Sequence, residues 1–272
     1  MKKTISCTLV ALVFLFVGLA PQASGTCTNP NSVLHATYGW EGHALGANGD
    51  TKMPKTGDFV PLVQVGFLVF DGNGNFAGEH DTSLGGVLLP HVDSGTYTVN
   101  SDCITGTVSF VTGVGFTMSI VITGGGQEIK YVGANTGNVN SGTLRLMGAS
   151  CSRNILTGNS YGYATNGLVG TSSGNSFPHA GGFVPFARAG QISVAADGSI
   201  SGVDNSSFGG VLMPGQQISG TYTVNSDCTG TTTMTIAGVD SSWHLVILPD
   251  AGQVIFIASP VGYVWAGSLT KN

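Results

Sequence analysis

The sequence predicts an all-β protein built from two tandem eight-stranded antiparallel meander barrels, and three observations lead there. The decapeptide Ser94-Gly95-Thr96-Tyr97-Thr98-Val99-Asn100-Ser101-Asp102-Cys103 returns unaltered as Ser219-Gly220-Thr221-Tyr222-Thr223-Val224-Asn225-Ser226-Asp227-Cys228, the mark of a tandem duplication. The chain carries 43 glycines alongside many Thr, Val and Ile, a composition suited to short strands and tight turns rather than helices. Apolar and small polar residues alternate with period two between turn-forming clusters, and hairpins joined end to end follow. Eight such strands can remove their exposed edges by closing into a barrel. A pair of two-sheet β-sandwiches is the alternative arrangement of the same strands.

The first segment, residues 1–25, reads as a secretory signal peptide: Met1-Lys2-Lys3, an apolar run to Ala20, then Pro21 and Gln22-Ala23-Ser24-Gly25. Its apolar core of about fifteen residues is short for a membrane span of roughly twenty, so no retained anchor and no stable membrane insertion are expected. Thr26 stands before Cys27, where a lipoprotein signal would place Gly, Ala or Ser, so Cys27 is not expected to be lipidated. The expected location is the periplasm or the cell exterior. Loss of Lys2 and Lys3 with the leader takes the net charge from −5 to about −7. Nucleic acid is thereby excluded as an expected partner, because phosphate binding needs clustered Lys and Arg. Charged residues make up 8% of the chain against roughly 25% in ordinary domains, so solubility rests on Ser, Thr, Asn and the backbone.

Aligned outward from the decapeptide, the two units match Cys27 with Cys151, Tyr38-Gly39-Trp40 with Tyr161-Gly162-Tyr163, and Phe59-Val60-Pro61 with Phe183-Val184-Pro185. The match continues through Gly85-Gly86-Val87-Leu88 with Gly209-Gly210-Val211-Leu212 and Gly142-Thr143-Leu144 with Gly267-Ser268-Leu269. The domains are therefore expected at residues 26–149 and 150–272, each large enough for its own core. The connection at Gly148-Ala149-Ser150 is so short that the units should touch. Four cysteines remain after the leader and permit three pairings; repeat symmetry favours Cys27–Cys103 and Cys151–Cys228. Each bond would contribute about 2–5 kcal/mol in an oxidising compartment.

In order along unit one, strands are expected near 34–45, 62–70, 75–84, 95–100, 105–112, 115–123, 127–134 and 141–148. Asp71-Gly72-Asn73-Gly74 and Gly124-Gly125-Gly126 are turn chemistry, because their residues tolerate positive φ. Phe116, Met118, Ile120 and Ile122 alternate with Thr117, Ser119, Val121 and Thr123, which gives the strand one apolar face. Trp243, Leu245 and Ile247 repeat that inward face in unit two, with His244 directed outward or into a polar contact.

The run Cys151-Ser152, Leu156-Thr157-Gly158, Tyr161-Gly162-Tyr163, then Gly220-Thr221-Tyr222-Thr223-Val224-Asn225 with Asp227-Cys228-Thr229-Gly230-Thr231, resembles a group of uncharacterised secreted bacterial β-rich proteins. Unit one departs from that pattern at Ile104. The resemblance brings no activity with it. The strand order is similar to the calycin and allene oxide cyclase type of barrel, a likeness of fold that does not supply a function.

Few residues suggest chemistry. Asp102 and Asp227 stand beside the repeated cysteines and read as Asx turns rather than paired acid/base groups. Asp71-Gly72-Asn73-Gly74-Asn75 has alternating oxygen groups, but Phe76 and Thr82 occupy the places where a calcium loop needs Gly and Glu, so a hairpin turn is expected. Glu79-His80-Asp81 is the densest titratable cluster, and on a strand His80 must oppose both neighbours. Gly202-Val203-Asp204 reads as its counterpart, keeping only the aspartate. His35, His43, His91 and His179 are scattered without metal-ligand spacing, and neither a metal nor a cofactor is expected.

Tyr38, Trp40, Tyr97, Tyr161, Tyr163 and Tyr222 form a repeated aromatic set. They are the candidate ligand-binding residues, stacking on a small apolar or carbohydrate ligand within each barrel; their other reading is core packing with hydroxyls bonded at the rim. The function expected is that of a secreted, non-catalytic binding or cell-surface interaction protein. The alternatives are a structural protein of an extracellular matrix or surface layer, and an isomerase- or cyclase-like enzyme working in a barrel cavity.

Overall fold

Turn chemistry sets the strand ends. In this computed structural model, which describes residues 27–47, 59–112, 115–135, 138–170 and 182–272, the Asp71 carboxylate oxygen accepts the N–H groups of Asn73 at 2.7 Å and Asn75 at 2.9 Å. Gly72 and Gly74 supply the positive φ, 77° and 106°, that this tight turn requires. Asp102 likewise accepts from Ile104 and Thr105 at 2.9 Å, and Asp227 from Thr229 at 3.0 Å, so both form Asx turns beside their cysteines. Residues 1–25 and His179 lie outside the described residues.

Barrel one comprises β1 (Thr37–Ala47), β2 (Phe59–Phe70), β3 (Asn75–Leu84), β4 (Val87–Val99), β5 (Thr105–Phe110), β6 (Thr117–Thr123), β7 (Glu128–Gly133) and β8 (Asn138–Leu146). Barrel two comprises β9 (Ser160–Gly170), β10 (Phe183–Val194), β11 (Ser199–Phe208), β12 (Val211–Val224), β13 (Thr229–Ile236), β14 (Val239–Ile247), β15 (Gln253–Ala258) and β16 (Tyr263–Lys271). Within each barrel every strand pairs with its sequence neighbours, and β1 also pairs with β8, as β9 does with β16. Both sheets are therefore closed antiparallel barrels, and the sandwich alternative falls away.

β4 begins at Val87 rather than near 95. Pro90 interrupts the sequence pattern, but it sits exposed opposite Asp81, and the pairing runs through it. In β12 the corresponding stretch breaks register instead, between Asp204–Gln216 and Ser206–Met213, leaving Pro214 and Gly215 outside the ladder as a bulge.

The lower half of barrel one is filled by apolar rings and branched chains, among them Tyr38, Leu68, Phe70, Phe76, Tyr97, Met118 and Ile129. A 3-10 turn at Pro30–Val33 closes that end, with Leu34 fully buried and the Tyr97 hydroxyl 2.9 Å from the carbonyls of both Asn31 and Leu34. The Cys27–Cys103 disulfide ties this plug to the β4–β5 turn, and Cys151–Cys228 occupies the same place in barrel two. Such bonds fit an oxidising environment outside the cytoplasm.

The units touch, as their short connection requires. β15 reads Gln-Val-Ile-Phe-Ile-Ala without alternation because both of its faces are buried, one in barrel two and one where the barrels meet. Val63 and Val65 on the outer face of β2 join the core of barrel two, adding about 1.5–3 kcal/mol for each side chain fully removed from water. Polar links flank the seam: Ser83 Oγ donates to the Tyr263 carbonyl at 2.7 Å, and the Gly262 amide to the Gly86 carbonyl at 2.8 Å. No helix among the described residues is long and apolar enough to cross a membrane.

Candidate functional site

Alternation along β3 turns Phe76, Gly78, His80 and Thr82 inward, while Glu79 and Asp81 face out. His80 lies opposite Gly66 of β2 and His91 of β4, and its Nδ1 is hydrogen-bonded to the Asp93 carboxylate, with both side chains fully buried. In the tautomer that donates from Nδ1 to Asp93, Nε2 of the ring is an acceptor. That nitrogen sits 3.4 Å from Gln64 Nε2. Gln64 Oε1 accepts from Asn140 at 3.1 Å, Asn140 Oδ1 from the Tyr131 hydroxyl at 3.2 Å, and the Tyr131 oxygen from Trp40 Nε1 at 2.9 Å. One hydrogen-bond chain thus links β1, β7, β8, β2, β3 and β4 across the upper interior. The Trp40 ring lies 4.6 Å from that of His80, and His91 stacks on His80 at 4.7 Å. Burial raises the Tyr131 phenol well above its ordinary range. Asp93 Oδ1 is left without a hydrogen-bond partner.

Barrel two carries different groups at the same positions. Asp204 faces Gly190 as His80 faces Gly66, and Arg188 faces Ser206 as Gln64 faces Thr82. Asp204 is therefore the counterpart of inward His80 and not of outward Asp81, a one-residue correction to the sequence alignment; β-strand parity makes that one residue decisive. The Tyr163 hydroxyl donates to Asp204 Oδ1 at 2.6 Å, and burial together with that carboxylate raises the Tyr163 phenol. Arg188 Nε stands 3.6 Å from Asp204 Oδ2, an ion pair too long for a hydrogen bond, and its guanidinium lies 5.5 Å over the Trp265 ring. Arg188 Nε, Asp204 Oδ2 and Trp265 Nε1 are all buried without hydrogen-bond partners.

The two barrels enclose between them a crevice of about 420 Å³. Val65, Phe67 and Val92 of barrel one and Val246 of barrel two give it apolar walls, while Glu79, Asp81, Asn225, Thr231 and His244 bring polar groups; His80, His91 and Leu245 also border it, with side chains that turn into the barrels. His244 Nδ1 and Asp81 Oδ2 bridge the barrels at 2.7 Å. That bond raises the His244 pKa above its ordinary value, against the opposing effect of burial. His91 moves the other way, lowered first by burial and then by His80, with Asp93 and Asp81 opposing. The seam imidazole is thus biased toward the cation, and the one stacked on His80 inside barrel one toward the neutral ring.

The six aromatic residues marked in the sequence face two separate interiors. Tyr38 is buried edge-on against Phe70, its hydroxyl donating to the Gly126 carbonyl at 2.7 Å. Tyr97 bonds the plug, buried Tyr161 lies 3.4 Å from Asn159 Nδ2, and half-buried Tyr222 lies 2.9 Å from Thr157 Oγ1. Trp40 and Tyr163 alone among the six belong to the polar clusters. Gln64, Asp93, Tyr131, Asn140, Arg188 and Trp265 carry no signal in the repeat. The parity of His91, Asp93, Gly95 and Tyr97 on one strand would have found Asp93. Among the described residues, no group of three or more His, Cys, Asp or Glu could hold a metal ion.

No family model matches the chain, and no curated protein matches it. Among solved structures, the hemagglutinin of Myxococcus xanthus in complex with a3,a6-mannopentaose is similar at 13% identity over 85% of this chain and 99% of that one, with a TM-score of 0.18. A TM-score that low carries no argument about ligand or ancestry.

Proposed function

We propose that this is a secreted, non-catalytic binding protein whose small ligand sits in the crevice between the two barrels. The observation that carries the reading is the crevice itself, about 420 Å³ with apolar walls, polar groups from both barrels and the His244–Asp81 pair bridging them. Volumes of this order hold small organic ligands, with the apolar walls supplying affinity and a few polar groups fixing orientation. A ligand with one apolar face and hydroxyl groups along its edge, the chemistry of a carbohydrate ring, matches a lining that combines Phe67 and Val246 with Asp81, Asn225 and Thr231. The reading as binding without catalysis is supported by the burial of the His80–Asp93 pair, the strongest acid/base candidate. Its side chains have no exposed surface and lie against Trp40 and His91 inside barrel one, although His80 also borders the crevice. Two disulfides suit export to the periplasm or beyond.

The test is native mass spectrometry of the protein purified without denaturation, beside a Thr231→Trp variant. Thr231 is exposed, so the added indole fills the crevice without entering either core. Release of a small molecule from the natural chain and its loss from the variant support the reading; a bare mass, or a ligand retained by the variant, overturns it.

A further inference from the structure

We infer that barrel two holds a second, internal binding site, formed by Arg188, Asp204 and Trp265, for a neutral group that pairs an acceptor oxygen with an adjacent N–H or O–H, such as a carboxamide or a vicinal diol. The two barrels supply the internal comparison. At equivalent positions barrel one strings Gln64, Asn140, Tyr131 and Trp40 into a chain in which each member has a partner, leaving one orphan nearby, Asp93 Oδ1. Barrel two places Arg188 where Gln64 stands, and the chain is broken open: Arg188 Nε–H, Trp265 Nε1–H and Asp204 Oδ2 are buried without partners. Leaving such groups unsatisfied is costly, so a duplicated fold able to build the closed version retains the open one at a thermodynamic disadvantage unless something completes it.

The ligand's chemistry follows from the orphaned atoms. Two donors call for an oxygen, and the carboxylate calls for a donor beside it. Charge selects next. Arg188 and Asp204 balance each other at 3.6 Å, so an anion would meet Asp204 and a cation would meet Arg188 in a site screened from water. Arg188 keeps 11% of its side-chain surface exposed while Asp204 keeps none, which puts the route in on the arginine side. The site is separate from the crevice and stands or falls independently of it.

The experiment uses the full mature chain with both disulfides and ¹⁵N-labelled indoles, with acetamide and ethylene glycol as neutral probes and acetate and methylammonium as charged ones. The Trp265 indole resonance, assigned by elimination with Trp40→Phe and Trp243→Phe, should shift saturably with a neutral probe and not with either ion. Arg188→Gln installs the residue that barrel one already tolerates at this position, and should weaken the neutral probe by roughly tenfold or more. A shift that never saturates, as a site filled only by water would give, overturns the proposal. So does equal response to acetate, or full affinity in Arg188→Gln. The probe comparison on the unaltered chain decides the matter even if the variant does not fold.

Discussion

Gly42→Ala perturbs the polar interior of barrel one through a single side-chain atom. A Cβ at Gly42 would stand 2.1 Å from the Tyr131 hydroxyl oxygen, while its next contacts, Trp40 Nε1 at 3.3 Å and Gln64 Oε1 at 3.4 Å, are near ordinary spacing. The hydroxyl must therefore retreat by more than about 1 Å, and it is held by bonds of 2.9 Å to Trp40 and 3.2 Å to Asn140. Overpacking of this kind costs about 1–3 kcal/mol, and stranding the buried Trp40 N–H adds about 1–3 kcal/mol, so a loss of roughly 3 kcal/mol is expected. Urea unfolding followed by tryptophan fluorescence measures it. The informative comparison is Tyr131→Phe, which should cost about 1–2 kcal/mol in the natural chain but recover stability in the Gly42→Ala background, because the clashing atom is the hydroxyl alone. If Tyr131→Phe costs the same in both backgrounds, the reasoning about this interior is refuted.

Three further outcomes follow from the geometry. Because the Asp81 bond raises the His244 pKa, its contribution is fully present below about pH 6.5 and is lost as pH rises through the raised value; with His244 39% exposed, screening keeps it below about 1 kcal/mol. His244→Gln should abolish this part of the difference between urea midpoints at pH 6 and pH 9, and an unchanged difference would contradict the bridge. The Asp71 carboxyl, held down by Asn75 and Asn73, should titrate at about 2, so its contribution to the turn is fully present above its ordinary pKa and is lost as pH falls from there through about 2. A carboxyl ¹³C titration with its midpoint near 4 would remove the Asx turn. Replacing Cys151 and Cys228 by serine frees a link across 77 residues and should cost about 2–5 kcal/mol, read from the urea midpoint, with no change meaning that the bond does not constrain the unfolded chain.

The repeat and its alternation made much of the fold legible. Phe116, Met118, Ile120 and Ile122 all point into barrel one, and His244 faces outward into a polar contact, as period two requires. What the alternation could not supply was the identity of the partner across the seam: Asp81 and His244 are 163 residues apart and belong to different units. The polar interiors were hidden for another reason. Repeat alignment draws attention to what is retained, whereas Gln64, His80 and Asp93 differ from Arg188, Asp204 and the other residues at their counterpart positions because those are the places where the copies diverged. Pro90 hid the first half of β4, and with it Asp93, whose Asp-Ser-Gly context resembles a turn.

The central claim, a ligand in the crevice between the barrels, is tested most directly by crystallography of protein purified without denaturation or refolding. The account predicts continuous density for one small molecule against Phe67 and Val246, with polar atoms within hydrogen-bond distance of Asp81, Asn225 or Thr231. A crevice containing only ordered water, in protein whose mass matches the bare chain, would contradict it.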